Sequence, residues 1–510
     1  MAVRYAIHHA GEPDHGRACG LLDPTERTDL PMTIDDPNAP PVQQDSEEAQ
    51  HLRGNLGIIQ LVFTVLAFNG PLGVVAAFAP VVIGYGNGIG APAAYLAAAG
   101  IVALFAVGFL KMSRHIANPG GFYSFVTAGL GKQVGLGASF LAVTCYYILL
   151  LAVYAVAGLY LEIVVGGLPW WIWALVLQGV VGAFGYFNLD FSAKALSVCL
   201  CLEVLFVAVY DIFVVAKGGA TGLSADSFLP EHVFSGNVGI ALLFGMLCMG
   251  GFEVTVIFRD EVRDPDRNIP RATYAFIALI GFVYAVSTWA IIQAIGPADA
   301  VATTAADPTG SFLGTLHTFV GSFAEDLVVP LLTTAGFAAL LATHNVLARY
   351  AFNLGVDEVL PQRIGFAHPR HGSPHRASVG ISVLALIGFL AFVGWGAEPK
   401  LLYAQLSGAF GYGLIMLMLI TSAAVMVFLT RRRPDDTTVW HRLIAPGLAL
   451  GCLAVVLWLA TTNISALITA GTGVVIAVLA LLYGSVLVGA AYAWKLRGTR
   501  PDTYAKIGRQ

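Results

Sequence analysis

Apolar residues in this chain come in long uninterrupted runs, and polar residues gather in the short segments between them. A run of about 20 apolar residues in a helix crosses a bilayer core of roughly 30 Å. Twelve such runs recur, at about 56–84, 91–112, 133–161, 170–188, 192–216, 236–258, 272–296, 326–352, 376–395, 401–430, 442–461 and 465–494, here numbered spans 1 to 12. Membrane strands would alternate apolar and polar and run only about 9–11 residues. The pattern predicts an all-α membrane protein.

Two spans carry signals that break a helix. Span 1 contains Phe68-Asn69-Gly70-Pro71-Leu72-Gly73, and Pro71 removes an N–H and clashes with the preceding turn. Span 6 contains Met249-Gly250-Gly251-Phe252-Glu253, with two glycines that each weaken a helix by roughly 1 kcal/mol. Five spans separate the two breaks, so the second half starts from the opposite side of the membrane. Paired interruptions at corresponding positions point to an inverted-repeat secondary transporter. This divides the chain into a disordered tail over 1–50, a ten-helix core over 51–430, two accessory spans over 431–495 and a tail over 496–510. Met32 offers a second translation start ahead of MTIDDPNAP.

Composition agrees: 57% of the 510 residues are hydrophobic and 11% are charged, against about 25% charged in soluble domains. The net charge of −4 decides little, but its distribution decides much. With a cytoplasmic N-terminus, Lys217 and Lys400 alone among the 27 Lys and Arg fall outside. The outer loop 297–325 contains acids and neither Lys nor Arg. That bias follows the positive-inside rule, placing both termini in the cytoplasm of a plasma-membrane protein. The six cysteines lie mostly within spans and imply no disulfide framework. No P-loop is present for a nucleotide-driven pump. Neither a nucleic-acid partner nor a cofactor is expected; the partners are the bilayer and a small solute.

Three motifs then carry a resemblance. They are Gly251-Phe252-Glu253 followed by EVRDPDRNIPRA (Glu261 to Ala272), THNVLARYAFNLGVDEVLP (Thr343 to Pro361), and NPGGFYSF (Asn118 to Phe125). With them, residues from about 52 to 430 resemble the amino acid–polyamine–organocation (APC) superfamily of permeases. The resemblance implies a leucine-transporter-like 5+5 inverted repeat with two extra C-terminal helices and alternating access. It also implies a substrate site at mid-membrane, between the breaks of spans 1 and 6. Half-helix ends there carry about half a charge of either sign, so free N–H groups meet a carboxylate and free carbonyls an ammonium.

The carry-over gives substrate-binding candidates Asn69, Gly70, Leu72, Gly73, Tyr147, Met249, Gly250, Gly251, Phe252 and Glu253. Many relatives open the span-1 break with Gly-Ser-Gly, whereas here Pro71 has no donor to give. A substrate carboxylate would use the Gly70, Leu72 and Gly73 amides or the Asn69 side chain; the alternative is an amine without a carboxylate. Where some relatives hold a span-5 lysine, aligning Ser192-Ala193-Lys194 places Glu203. Glu203 and Glu253 are thus candidate coupling residues for H+ or Na+. Glu253 has a structural alternative, capping the free N–H groups of the break.

Tyr146 is a further aromatic candidate and Tyr412 a candidate vestibule gate. Asp211 and Glu162 suit packing and rim roles, and Trp170, Trp171 and Trp173 an interfacial belt. His368, His371 and His375 are expected in a solvated loop rather than at a metal. The function expected is import of an amino acid or small organic amine by symport, with exchange as the alternative. A membrane-embedded enzyme would need a polar catalytic constellation that the chain does not suggest.

Overall fold

The computed structural model describes residues 56–116, 121–187, 193–259, 262–368, 373–465 and 471–508. Outside it lie the expected tail over 1–50, Asn118 to Gly120, Glu261 and His371; the side chain of Lys194 is likewise not described. The described secondary structure is helical apart from an isolated bridge pairing Leu56 with Val262. Among the described residues, eleven helices are long and apolar enough to cross a membrane. They correspond to every predicted span except the sixth, which is split into Val238–Cys248 and Val254–Ile257.

Hydropathy marked only the part of each helix that lies in the apolar layer, so several helices outrun their predicted spans. Span 7 begins seven residues early, as Pro265–Ile295. Asp264 turns in the left-handed region at φ 47° and Pro265 starts the helix, where a missing N–H costs nothing. Span 8 runs Ser322–Val356. Among the described residues, five shorter α-helices outside the spans went unpredicted: Phe122–Leu130, Pro230–Val233, Ala300–Ala306, Ser311–Phe319 and Pro501–Lys506.

Span 3 (Lys132–Val165) lies at the centre, packed against spans 8, 10 and 12, while span 2 packs on spans 6, 7 and 11. Bilayers supply little hydrophobic drive between helices, so small residues must allow close approach. Gly137 and Gly489 meet in this way: a Cβ on Gly489 would stand 2.6 Å from the Leu136 carbonyl. Facing outward, spans 5, 7 and 12 expose large apolar residues, among them Leu205, Phe282 and Leu487. Apolar exposure on that scale is a lipid-facing surface.

The C-terminal segment is folded onto this body. Lys132 Nζ donates to the carbonyls of Tyr504 and Ala505, Lys506 pairs with Glu358 at 2.5 Å, and Ile507 is buried.

Candidate functional site

Both glycine-containing segments interrupt their helices. In span 1, Ile58–Asn69 ends at Gly70, which adopts φ +50°, and Pro71 begins the next turn. A five-residue π turn, Val74–Phe78, follows, before Ala79–Tyr85. Pro80 has no N–H for the turn behind it, which favours this irregular ladder. In span 6, Gly251 stands at φ +96° between the two helical pieces. Left-handed backbone costs an L-residue roughly 1–2 kcal/mol and costs glycine nothing comparable.

The two interruptions touch. Asn69 Nδ2 donates to the Gly250 carbonyl at 2.6 Å, so a side chain of one break satisfies a carbonyl freed by the other. Asn69→Ala should therefore leave a buried carbonyl unpaired and lower stability by about 1–3 kcal/mol. Asn69→Asp should be worse, because a carboxylate cannot donate. Thermal unfolding of the detergent-purified protein measures both, and unchanged midpoints would contradict the link.

Glu253 is fully buried. Its carboxylate accepts from the Gly251 N–H at 3.0 Å and from the Tyr146 hydroxyl. Both oxygens are thereby engaged in closing the span-6 break. Tyr146 sits among aromatic rings, edge-on to Phe68 at 5.9 Å and within 5.9 Å of Tyr350 and Phe410 between ring centres.

Beside the break of span 1 lies a cavity of about 70 Å³, walled by spans 1, 3, 6, 8 and 10. Asn69, Gly70 and Gly73 line it, as do Phe68, Tyr160, Tyr403 and Phe410. Three predicted residues thus reach the cavity wall. Leu72, Met249, Gly250, Gly251 and Glu253 belong to the breaks but stand behind that wall. Met249 is buried, with Gly281 of span 7 alongside.

Tyr147 and Phe252 do not line this cavity. The Tyr147 hydroxyl donates to the Leu384 carbonyl of span 9 at 2.9 Å. Phe252 packs edge-on between Phe105 and Phe109 of span 2, at 5.6 and 6.0 Å. Tyr412, the candidate gate, ties span 10 to spans 11 and 12 through Thr461 and Tyr483, each at 2.9 Å. Asp211 accepts from Ser287 at 2.8 Å, and Glu162 accepts from the Trp170 N–H at the start of span 4. The His368 and His375 rings lie edge-on at 5.0 Å, beside Tyr186.

Glu203 is fully buried on span 5, against the Pro71–Gly73 segment. The Leu72 N–H faces it, yet neither carboxylate oxygen reaches hydrogen-bond geometry with a partner among the described residues. Tyr284, Tyr95 and Thr288 place further buried hydroxyls on spans 2 and 7.

Sequence reasoning missed most of the cavity wall. One signal was available on span 3, where Leu149, Val153, Val156 and Tyr160 recur at helical spacing from Tyr146. Another was the small-residue run of span 8, where Ala335, Gly336 and Ala339 form the wall.

Among the described residues, eleven long apolar helices and a split twelfth, with two interruptions in contact beside a small cavity, have the architecture of a multi-pass membrane transporter. The chain belongs to the amino acid permease family, whose sequence model matches residues 65–503. It is 24% identical over 372 residues to the low-affinity putrescine importer PlaP of Escherichia coli K12, covering 70% of this chain and 80% of that protein. An uncharacterized transporter of Mycobacterium tuberculosis is 24% identical over 426 residues, 81% of this chain and 88% of its own length. The human Asc-type amino acid transporter 1 is 24% identical over 265 residues, 49% of this chain and 46% of that protein. Membership of this family makes the protein a transporter of amino acids or amines and not an enzyme.

Proposed function

We propose that the protein imports a small organic amine across the cell membrane by alternating access, driven by a proton or sodium gradient. The observation that carries this reading is the meeting of the two helix breaks beside the cavity through Asn69 and Gly250. The Gly70, Gly250 and Gly251 carbonyls are taken by protein donors, so an ammonium group at the cavity meets the aromatic rings. The aromatic wall of Phe68, Tyr160, Tyr403 and Phe410 adds cation–π attraction, worth about 1–2 kcal/mol.

Backbone donors favour an amine over an amino acid. Pro71 has none, the Gly70 N–H is spent on Leu66 O, and the Leu72 N–H faces Glu203 rather than the cavity. A substrate carboxylate would have few partners. The named activity of the putrescine importer of E. coli points the same way, while the human relative's name keeps amino acids as the competing class.

Glu203 is the coupling residue in this reading, since neither of its buried oxygens reaches hydrogen-bond geometry with a partner among the described residues, and such a carboxylate calls for a cation. Glu253 serves the break. Both termini face the cytoplasm, as the distribution of Lys and Arg supports.

Thermal unfolding against amino acids paired with their decarboxylated amines tests the substrate class. A ligand at 100 times its Kd adds about 2.7 kcal/mol of stability. Amines should therefore raise the midpoint and the parent amino acids should not. The reverse order would establish amino acids as the substrates, and a response to neither would remove both.

A further inference from the structure

Away from the transport cavity, a groove of about 240 Å³ opens where the Lys111 end of span 2 meets the start of span 7 and the Trp440 end of span 11. Val107, Leu110 and Pro270 give it an apolar side, and His441 lines it as well. Its rim holds Lys111 and Arg114, with the aromatic rings of Tyr274 and Trp440 alongside. Those two rings are 39% and 44% exposed, the half-wetted state of aromatics at a membrane–water interface.

Charge at the rim does not balance. Asp436 is the carboxylate shared by three bases: Lys111 at 3.2 Å, Arg114 at 3.7 Å and His115 at 2.9 Å. Arg114 also donates to the Asp266 carbonyl at 2.8 Å, which fixes the guanidinium without neutralising it. The Asp266 carboxylate is itself taken by Arg259 at 2.6 Å. Among the described residues, one carboxylate faces two permanent cations and the His115 imidazole, and His441 also lines the groove, which leaves a positive surplus at its mouth.

We propose that this groove binds an anionic glycerophospholipid, its phosphate on Lys111 and Arg114 and its acyl chain along Val107, Leu110 and Pro270. A free phosphate ion would answer the charge but make no use of the apolar side or the aromatic rim. A zwitterionic lipid would fill the apolar side but leave the surplus charge unanswered. On the same helices, exposed Leu279 and Phe282 of span 7 and Leu448 of span 11 carry apolar surface onward from the groove. The occupant therefore comes from the bilayer.

Native mass spectrometry of the full chain tests this, with phosphatidylglycerol and phosphatidylcholine of identical acyl chains as probes. The wild type should retain phosphatidylglycerol more strongly, and each base removed should weaken it about fivefold. Lys111→Gln with Arg114→Gln should therefore abolish the preference. Asp436→Asn keeps both bases, removes the competing carboxylate, and should strengthen the preference. Val107→Trp should weaken retention with every charge intact. Equal retention of the two lipids, or a preference that survives the double variant or falls in Asp436→Asn, overturns the proposal. So does displacement of phosphatidylglycerol by inorganic phosphate at comparable concentration, which would mark a site for a free anion.

Discussion

Replacing Glu203 by glutamine is expected to uncouple transport: substrate should equilibrate across a liposome membrane but no longer accumulate against its gradient. The expectation follows from the geometry of span 5. A fully buried carboxylate without a hydrogen-bond partner among the described residues is expensive in a membrane unless a cation or proton accompanies it. The glutamine side chain keeps the shape and cannot take up or release charge. A second variant separates coupling from architecture. Glu203→Leu removes the cost of burying an unpaired polar group, so it should raise stability by about 1–3 kcal/mol while abolishing accumulation. Uptake by Glu203→Gln that still responds fully to an imposed pH or sodium gradient would remove Glu203 from the coupling step. A drop in stability for Glu203→Leu would mean that the carboxylate holds the fold together.

Gly251→Ala should damage the site most severely for the smallest change in mass. Its φ of +96° lies where an alanine is strained, and an added Cβ would stand 2.9 Å from the Phe68 ring. Backbone strain of roughly 1–2 kcal/mol is the first cost. The second falls on the cavity, because Phe68 lines it and packs edge-on against Tyr146. A ring displaced there disturbs the wall and the hydroxyl that holds Glu253. Each 1.4 kcal/mol is a factor of ten, so substrate affinity should fall about tenfold or more, together with the unfolding midpoint. Gly250→Ala is the control: it lacks the positive φ, and its Cβ would meet Leu247 O and Leu414 at 3.1 Å, so the milder loss should be its own. Equal affinity in Gly251→Ala and wild type would show that the bend at Gly251 does not shape the site.

The spans and their order were legible because a bilayer reads composition directly: a stretch is long and apolar, or it does not cross. The interruptions at Gly70 and Gly251 were legible for a related reason, since glycine and proline act on the backbone wherever the fold puts them. Orientation of side chains was not. Tyr146 and Tyr147 are neighbours about 100° apart around one helix, so one reaches Glu253 while the other bonds to span 9. In a soluble helix the polar face would have told them apart; here both faces are apolar. Phe252 and Phe68 posed the same problem, one packing on span 2 and the other lining the cavity. The helices outside the spans escaped for the opposite reason. Phe122–Leu130 and Ser311–Phe319 are too short to register as crossings, and tertiary contacts sustain them.

The docked C-terminal segment bears on how the protein is handled. Lys506 and the Tyr504 and Ala505 carbonyls are held against Glu358 and Lys132. Proteolysis ahead of Tyr504 would remove the anchor between this segment and the ends of spans 3 and 8.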